Sequence, residues 1–187
     1  NSVGQLFGNL EYRLGERWLL HAGSMAEQDR LSGFSFSPRL AAHYFLAPAH
    51  SLRAVYSEAV RSPDMYENNA YWTYKPSNLT GAPTSYYALA KGPGDLEQEE
   101  MRSWELGYNG TFHRIGLNVD IKAFYDEIDN MISQPLQVVN FEPDNSSFAH
   151  FSGVEAQTDW RLTGQDRLRL TYAYVDFYAS NRLDQRL

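Results

Sequence analysis

Apolar and polar residues alternate with a period of two through most of this sequence. In the stretch 51–63, Leu52, Ala54 and Tyr56 are separated by single residues that include Arg53. Such a period puts an apolar row on one face of a β-strand and a more polar row on the other. The stretch ends in a proline, which cannot donate to a strand ladder. It therefore predicts a strand that runs into a loop.

The same design recurs along the chain. Eight predicted strands cover about residues 6–14, 18–27, 38–46, 51–61, 101–112, 116–126, 151–162 and 167–174. The connections alternate between short and long, and the long ones cover residues 28–37, 63–100 and 127–150. No apolar run approaches the roughly 18 residues of a membrane-crossing helix. We expect an all-β chain folded as an antiparallel, up-and-down sheet.

Two patterns favour a transmembrane β-barrel over a soluble sheet. Short turns on one side and long loops on the other are typical of such barrels. Aromatic residues also lie near both ends of the strands on the apolar face, as at the two interfaces of a bilayer. They are Tyr12, Trp18, Tyr44, Phe112 and Trp160 near the short turns, and Tyr56, Trp104, Tyr125 and Tyr174 near the long loops. A soluble antiparallel sandwich with its apolar rows turned inward remains the alternative.

Composition excludes several classes of function. The net charge is −7 and no basic stripe is visible, so we expect no nucleic-acid partner. The chain has no cysteine, which excludes disulfides and cysteine-based metal sites. The five histidines lack a metal-like spacing, and no nucleophile elbow or phosphate-binding loop is present. We therefore expect no catalytic residue, no enzyme activity, no cofactor and no metal site.

Two polar groups have a structural interpretation. Glu97, Glu99 and Glu100 form an acidic cluster that could hold Ca²⁺, but a solvated loop end is the favoured interpretation. His21 and His43 lie on the polar faces of neighbouring predicted strands, where hydrogen bonding is favoured over metal binding.

The long loop after residue 63 is the candidate ligand-binding region. It contains many aromatic residues, which provide rigid contact area at low entropic cost. They are Tyr66, Tyr71, Trp72, Tyr74, Tyr86 and Tyr87. These rings either contact a ligand or pack on one another to order the loop. Arg61, at the base of the loop, either steers an anionic ligand or pairs with a carboxylate, and pairing is favoured.

Four stretches, in a fixed order, carry a family resemblance. They are the strand pair from SPRLA at residue 37 to RSP at residue 63, LEQEEMRSWELGY at 96–108, FYDEIDNMI at 124–132 and FSGVEA at 151–156. Together they resemble the TonB-dependent outer-membrane receptors. Gln98 replaces the proline that this family usually has in the second stretch.

The resemblance implies that residues 1–187 are part of a 22-stranded barrel, about eight of its strands. The expected piece lacks the plug domain and the C-terminal closing strand. The resemblance also implies a bacterial outer-membrane location, with outer-membrane lipid around the wall. The implied function is uptake of a scarce nutrient: a ferric siderophore, haem or a cobalamin-like chelate. Energy would come from the TonB complex through the missing plug region. The alternative is a small outer-membrane or soluble β-sheet protein with a binding or adhesion role.

Overall fold

A computed structural model of the chain describes residues 3–30, 32–73, 89–133 and 140–180. In chain order the elements are β1 (Val3–Leu14), β2 (Trp18–Asp29), β3 (Gly33–Ala47), β4 (His50–Arg61), α1 (Met65–Asn69), β5 (Tyr71–Thr73), β6 (Leu89–Lys91), β7 (Glu99–Phe112), β8 (Leu117–Ser133), β9 (Asn140–Phe141), β10 (Asp144–Arg161) and β11 (Arg167–Ala179). Eight of these strands form one sheet in the order β1-β2-β3-β4-β7-β8-β10-β11. All neighbours in this sheet are antiparallel, which confirms the predicted up-and-down architecture.

The connection between β2 and β3 differs from the prediction. These strands pair as far as Asp29 and Gly33, so only residues 30–32 connect them. Alternating phenylalanines and serines continue the strand period through the segment that was predicted to be a long loop. The strict alternation of short and long connections is therefore wrong at this point.

The third long connection is also shorter than predicted. β8 continues to Ser133 and β10 begins at Asp144, which leaves residues 134–143 between them. The register between these strands shifts on both sides of Ser147. Such irregularities break the two-residue period of a strand. The alternation of the sequence therefore ends before the strands do.

The backbone register places each strand's apolar positions in rows across one face of the sheet. One row crosses all eight strands; it comprises Tyr12, Leu20, Ala42, Ala54, Leu106, Ala123, Val154 and Tyr174. The neighbouring row on the other face comprises Arg13, Leu19, His43, Arg53, Gly107, Lys122, Glu155 and Ala173. The sheet thus has an apolar face and a polar face.

The apolar face of the sheet is not covered by the rest of the described chain. Among the described residues, the buried hydrophobic side chains are only those of Ala90, Ala149 and Ala179. Leu10 and Leu106 in the apolar rows are each 67% exposed. A soluble sandwich would bury these rows against a second sheet. The described ranges contain no such sheet packed on this face.

Charged side chains on the polar face pair with one another. Arg53 forms an ion pair with Glu105. Lys122 Nζ lies 3.0 Å from a carboxylate oxygen of Glu155 on the neighbouring strand. Unpaired charges would be costly in a dry core, but each of these charges has a partner of opposite sign on the same face.

Aromatic rings line both ends of the apolar face, as predicted. Near the short turns, the ring centroids of Trp18 and Tyr44 are 4.7 Å apart. Near the long loops, Trp104 contacts Tyr56 at 5.5 Å and Tyr125 at 5.8 Å. The two rings of each contact belong to neighbouring strands, so these contacts also stabilise the pairing of the strands.

A second, smaller sheet lies among the long loops. Its three short strands have the order β5-β6-β9. α1, with five residues, precedes this sheet in the chain. Within the part of the chain that the structure describes, no helix is long and apolar enough to cross a membrane.

Gly153 allows a close contact on the polar face. It pairs with Phe124 on β8, and a Cβ atom at this glycine would lie 2.4 Å from the backbone carbonyl oxygen of Tyr174 on β11 and 2.6 Å from Cζ of the Phe124 ring. The ring therefore covers the glycine backbone, an arrangement known to support strand pairing. Nζ of Lys122 lies over the Phe124 ring, 5.8 Å from the ring centroid.

We predict that Gly153→Ala destabilises the full-length protein by about 1–3 kcal/mol, because the added methyl group meets the backbone oxygen of Tyr174 and the Phe124 ring, and both must shift. Gly23→Ala is the matched control. Its Cβ atom would meet its nearest neighbour at an ordinary 3.5 Å, so a change within about 0.5 kcal/mol is expected. Urea unfolding of both variants measures the difference, and equal midpoints would contradict the packing role of Gly153.

Candidate functional site

The two long connections leave the sheet at the same end. Residues 62–98 join β4 to β7 and form the first loop, and residues 134–143 join β8 to β10 and form the second loop. β4 and β8 run toward this end, while β7 and β10 run away from it. The loops are therefore neighbours on one rim of the sheet, which we call the long-loop end.

The first loop begins with a capped helical turn. Asp64 is the N-cap of α1 and its side chain accepts a hydrogen bond from the backbone N–H of Glu67 at 2.7 Å. Glu67 in turn accepts from the backbone N–H of Asp64 at 2.9 Å. This reciprocal capping box satisfies two backbone donors that a helix start leaves unpaired. The helix was not predicted, although the spacing of Asp64 and Glu67 was a readable signal.

Arg61 connects this helix to the sheet. Its guanidinium forms an ion pair with Glu99, its direct partner on β7, and another with Glu67 at 3.1 Å. The hydrogen bonds to Glu99 raise the pKa of Arg61 above its ordinary value, with a smaller contribution from Glu67. The structure therefore supports the favoured interpretation of Arg61, pairing with carboxylates. A ligand contact by Arg61 stays a prediction.

Glu99 is not the solvated loop residue that the sequence suggested. Only 14% of its side chain is exposed. Besides Arg61, its carboxylate accepts a hydrogen bond from the backbone N–H of Ile132 at 2.7 Å. One carboxylate thus joins the ends of β4, β7 and β8. The neighbouring Glu100 remains solvated, with 52% of its side chain exposed.

Asn145 makes a second set of bonds at this end. Its Oδ1 accepts from the backbone N–H of Glu97 at 2.8 Å, and its Nδ2 donates to the carbonyl of Glu97 at 3.0 Å. Nδ2 also donates to the carbonyl of Asn130 at 2.6 Å. A side-chain amide can satisfy a backbone donor and acceptor together in this way. We call the group formed by Arg61, Glu67, Glu97, Glu99 and Asn145 the loop junction.

The helix end is fixed to the returning part of the first loop. Asn68 is 5% exposed, and its Oδ1 accepts from the backbone N–H of Leu96 at 3.1 Å. The N–H groups of Gly92 and Gly94 donate to the carbonyls of Ala70 and Asn68. A Cβ atom at Gly92 would lie 2.5 Å from the backbone of Asn68, so only glycine permits this approach.

The candidate ligand residues divide into three groups. Tyr66 in α1 is 51% exposed and Tyr71 at the start of β5 is 77% exposed. The backbone of Trp72 pairs with Ala90 of β6, while its side chain lies outside the described part. Tyr74, Tyr86 and Tyr87 lie outside the described residues altogether. The ligand role of all these aromatic residues, and their packing on one another, stay predictions.

The two histidines singled out in the sequence lie on the polar face nearer the short turns, away from the long-loop end. The rings of His21 and His43 meet edge to face with centroids 5.3 Å apart. Nδ1 of His21 lies 3.6 Å from a carboxylate oxygen of Glu11. Neither contact is a hydrogen bond, so the hydrogen-bonding role expected of these two histidines stays a prediction.

Comparison with known proteins places these features in a family. The family model of the TonB dependent receptor-like β-barrel matches residues 1–186. No sequence relative matches among curated proteins.

Three solved structures illustrate the likeness of the fold. The siderophore receptor PirA from Pseudomonas aeruginosa has a TM-score of 0.78 and 18% identity, covering 94% of this chain and 34% of that chain. A mutant of the ferric enterobactin receptor PfeA from Pseudomonas aeruginosa, in complex with enterobactin, has a TM-score of 0.75 and 20% identity, covering 92% of this chain and 26% of that chain. The FrpB iron transporter from Neisseria meningitidis has a TM-score of 0.70 and 14% identity, covering 94% of this chain and 25% of that chain.

The chain therefore spans between 25% and 34% of the length of these three structures. Its eight strands superpose on part of their barrels, and the family model covers nearly the whole sequence. The chain belongs to the TonB-dependent receptor family, as part of its β-barrel.

Proposed function

We propose that the full-length protein is an outer-membrane receptor that imports a scarce nutrient as a chelate. The present chain would supply part of the barrel wall and two ligand-facing loops. The observation that carries this proposal is the family match over residues 1–186. Membership of a family of transport receptors also favours transport over an adhesion role and over enzyme activity.

A ferric chelate is the favoured substrate class. The similar structures include proteins described as a siderophore receptor, a ferric enterobactin receptor and an iron transporter. Haem and a cobalamin-like chelate are the other members of the expected class. All are large, scarce molecules for which uptake against a gradient requires energy, and the family resemblance implies that TonB supplies it.

The two faces of the sheet support a wall between lipid and an aqueous lumen. In lipid, each backbone polar group must find a partner within the protein, and a paired strand ladder provides this. Apolar rows with aromatic rings at both ends suit the outward face of such a barrel. Paired charges such as Arg53 with Glu105 suit a hydrated interior. The outer membrane is therefore the proposed location.

The first loop is the proposed place of ligand contact. Tyr66 and Tyr71 present exposed rings on a backbone that the capping box and the loop junction hold in place. Rings on an ordered backbone lose little conformational freedom when they bind.

Growth under iron limitation tests the proposed function. A strain without the gene for the full-length protein should fail to use at least one of a ferric catecholate, a ferric hydroxamate or haem as its sole iron source. The gene should restore growth only in cells that have TonB. Cobalamin uptake is measured separately. If growth on each iron source and cobalamin uptake are the same with and without the gene, the proposal is wrong.

We predict that replacing Tyr66 and Tyr71 together by alanine raises the Kd of the imported chelate about tenfold, or about 1.4 kcal/mol. The physical reason is the loss of two rigid contact surfaces. Tyr178→Ala is the matched control, because this tyrosine is 63% exposed at the end of β11, outside the first loop. Equilibrium binding measures the effect. An affinity that is unchanged in the double variant, or equally reduced in the control, would count against the loop as binding surface.

A further inference from the structure

The two long loops share a backbone contact. β6 belongs to the first loop and β9 to the second, and they pair in parallel through Leu89 with Asn140 and Ala90 with Phe141. A parallel pair of this length is too short to be stable alone, because few hydrogen bonds offset the ordering of two segments. Other contacts must hold the loops in register.

The loop junction provides such contacts. Asn145 begins the return from the second loop, yet its side chain bonds both backbone groups of Glu97, at the end of the first loop. The same amide reaches the carbonyl of Asn130 on β8. The end of the first loop is thereby fixed to both strands that carry the second.

Glu99 makes a second link to β8, and it adds β4. It binds Arg61 of β4 and the backbone N–H of Ile132 on β8. Arg61 extends the link to Glu67, and so to the helix that carries Tyr66. Because one carboxylate holds both a cation and a backbone donor, its loss would remove one of the two side-chain links between the first loop and β8.

We propose that residues 62–73 and 89–98 of the first loop and residues 140–143 of the second form one rigid, ligand-receiving unit, and that Glu99 and Asn145 are its positioning residues. They set the place of Tyr66 and Tyr71 relative to residues 140–143. This inference rests on the proposed function for its ligand, but the rigidity of the unit is a property of the empty protein. Ordering these segments before ligand arrives lowers the entropic cost of binding.

A distance measurement without ligand tests the unit. Spin labels on cysteines at Lys91 in the first loop and Glu142 in the second report the separation of the loops in the full-length protein in lipid vesicles. Both positions are exposed and this chain has no cysteine of its own. We expect one narrow distance distribution, at least doubled in width by Glu99→Gln or Asn145→Ala.

Glu105→Gln is the matched control. Glu105 lies on the same strand and face as Glu99 and also pairs with an arginine, but it is remote from the loops. It should leave the distribution narrow. A broad distribution in the unsubstituted protein, or no broadening with Glu99→Gln and Asn145→Ala, would overturn the proposal. The urea midpoint should move no more with Glu99→Gln than with Glu105→Gln, and a larger shift would indicate a general structural role instead.

Ferric enterobactin serves as the ligand probe. Glu99→Gln should raise its Kd about tenfold, while Glu105→Gln leaves it within about twofold. A broadened distance distribution together with an unchanged Kd would refute the positioning role. If the unsubstituted protein does not bind this probe, the proposed function fails for ferric enterobactin, whereas the distance measurement still decides whether the loops form one unit.

Discussion

Eight strands share one continuous ladder of backbone hydrogen bonds, and the rest of the structure depends on it. In the described part of the chain, no second layer packs on the apolar face, so the ladder cannot derive its stability from a core between two sheets. The proposed outer-membrane location supplies an apolar surrounding on one face and water or polar protein on the other. The paired charges of Arg53 and Glu105 and the exposed leucines at positions 10 and 106 are two consequences of this single arrangement.

The same ladder brings the loops together. Because β4, β7, β8 and β10 are consecutive neighbours, their ends place Arg61 opposite Glu99, with Ile132 beside them. A carboxylate in this position can bind groups from three strands. Strand register thus fixes the bases of the two loops, and the described part of the first loop carries the exposed rings of Tyr66 and Tyr71.

The sequence predicted most of the sheet, because strand alternation is a local property. The prediction was wrong where the alternation breaks. The register shifts around Ser147 interrupt the two-residue period, so β8 and β10 were predicted to be shorter than they are. The capping box of Asp64 and Glu67 is local too and could have been predicted. The contact of Asn145 with Glu97 joins residues 48 positions apart, and the pairing of Glu99 with Arg61 joins residues 38 apart. Such contacts depend on the register of several strands, which alternation alone does not specify, so Glu99 was misread as solvated.

The two faces of the sheet should meet different solvents in the full-length protein. A nitroxide scan along β8, from Leu117 to Tyr125, measures this in lipid vesicles. Oxygen concentrates in lipid, and a water-soluble nickel chelate does not enter it. We expect the ratio of the two collision rates to alternate with a period of two, high at Val119, Ile121 and Ala123 and low at the residues between them. A ratio that does not alternate, or that alternates in the opposite sense, would show that the apolar face does not meet lipid.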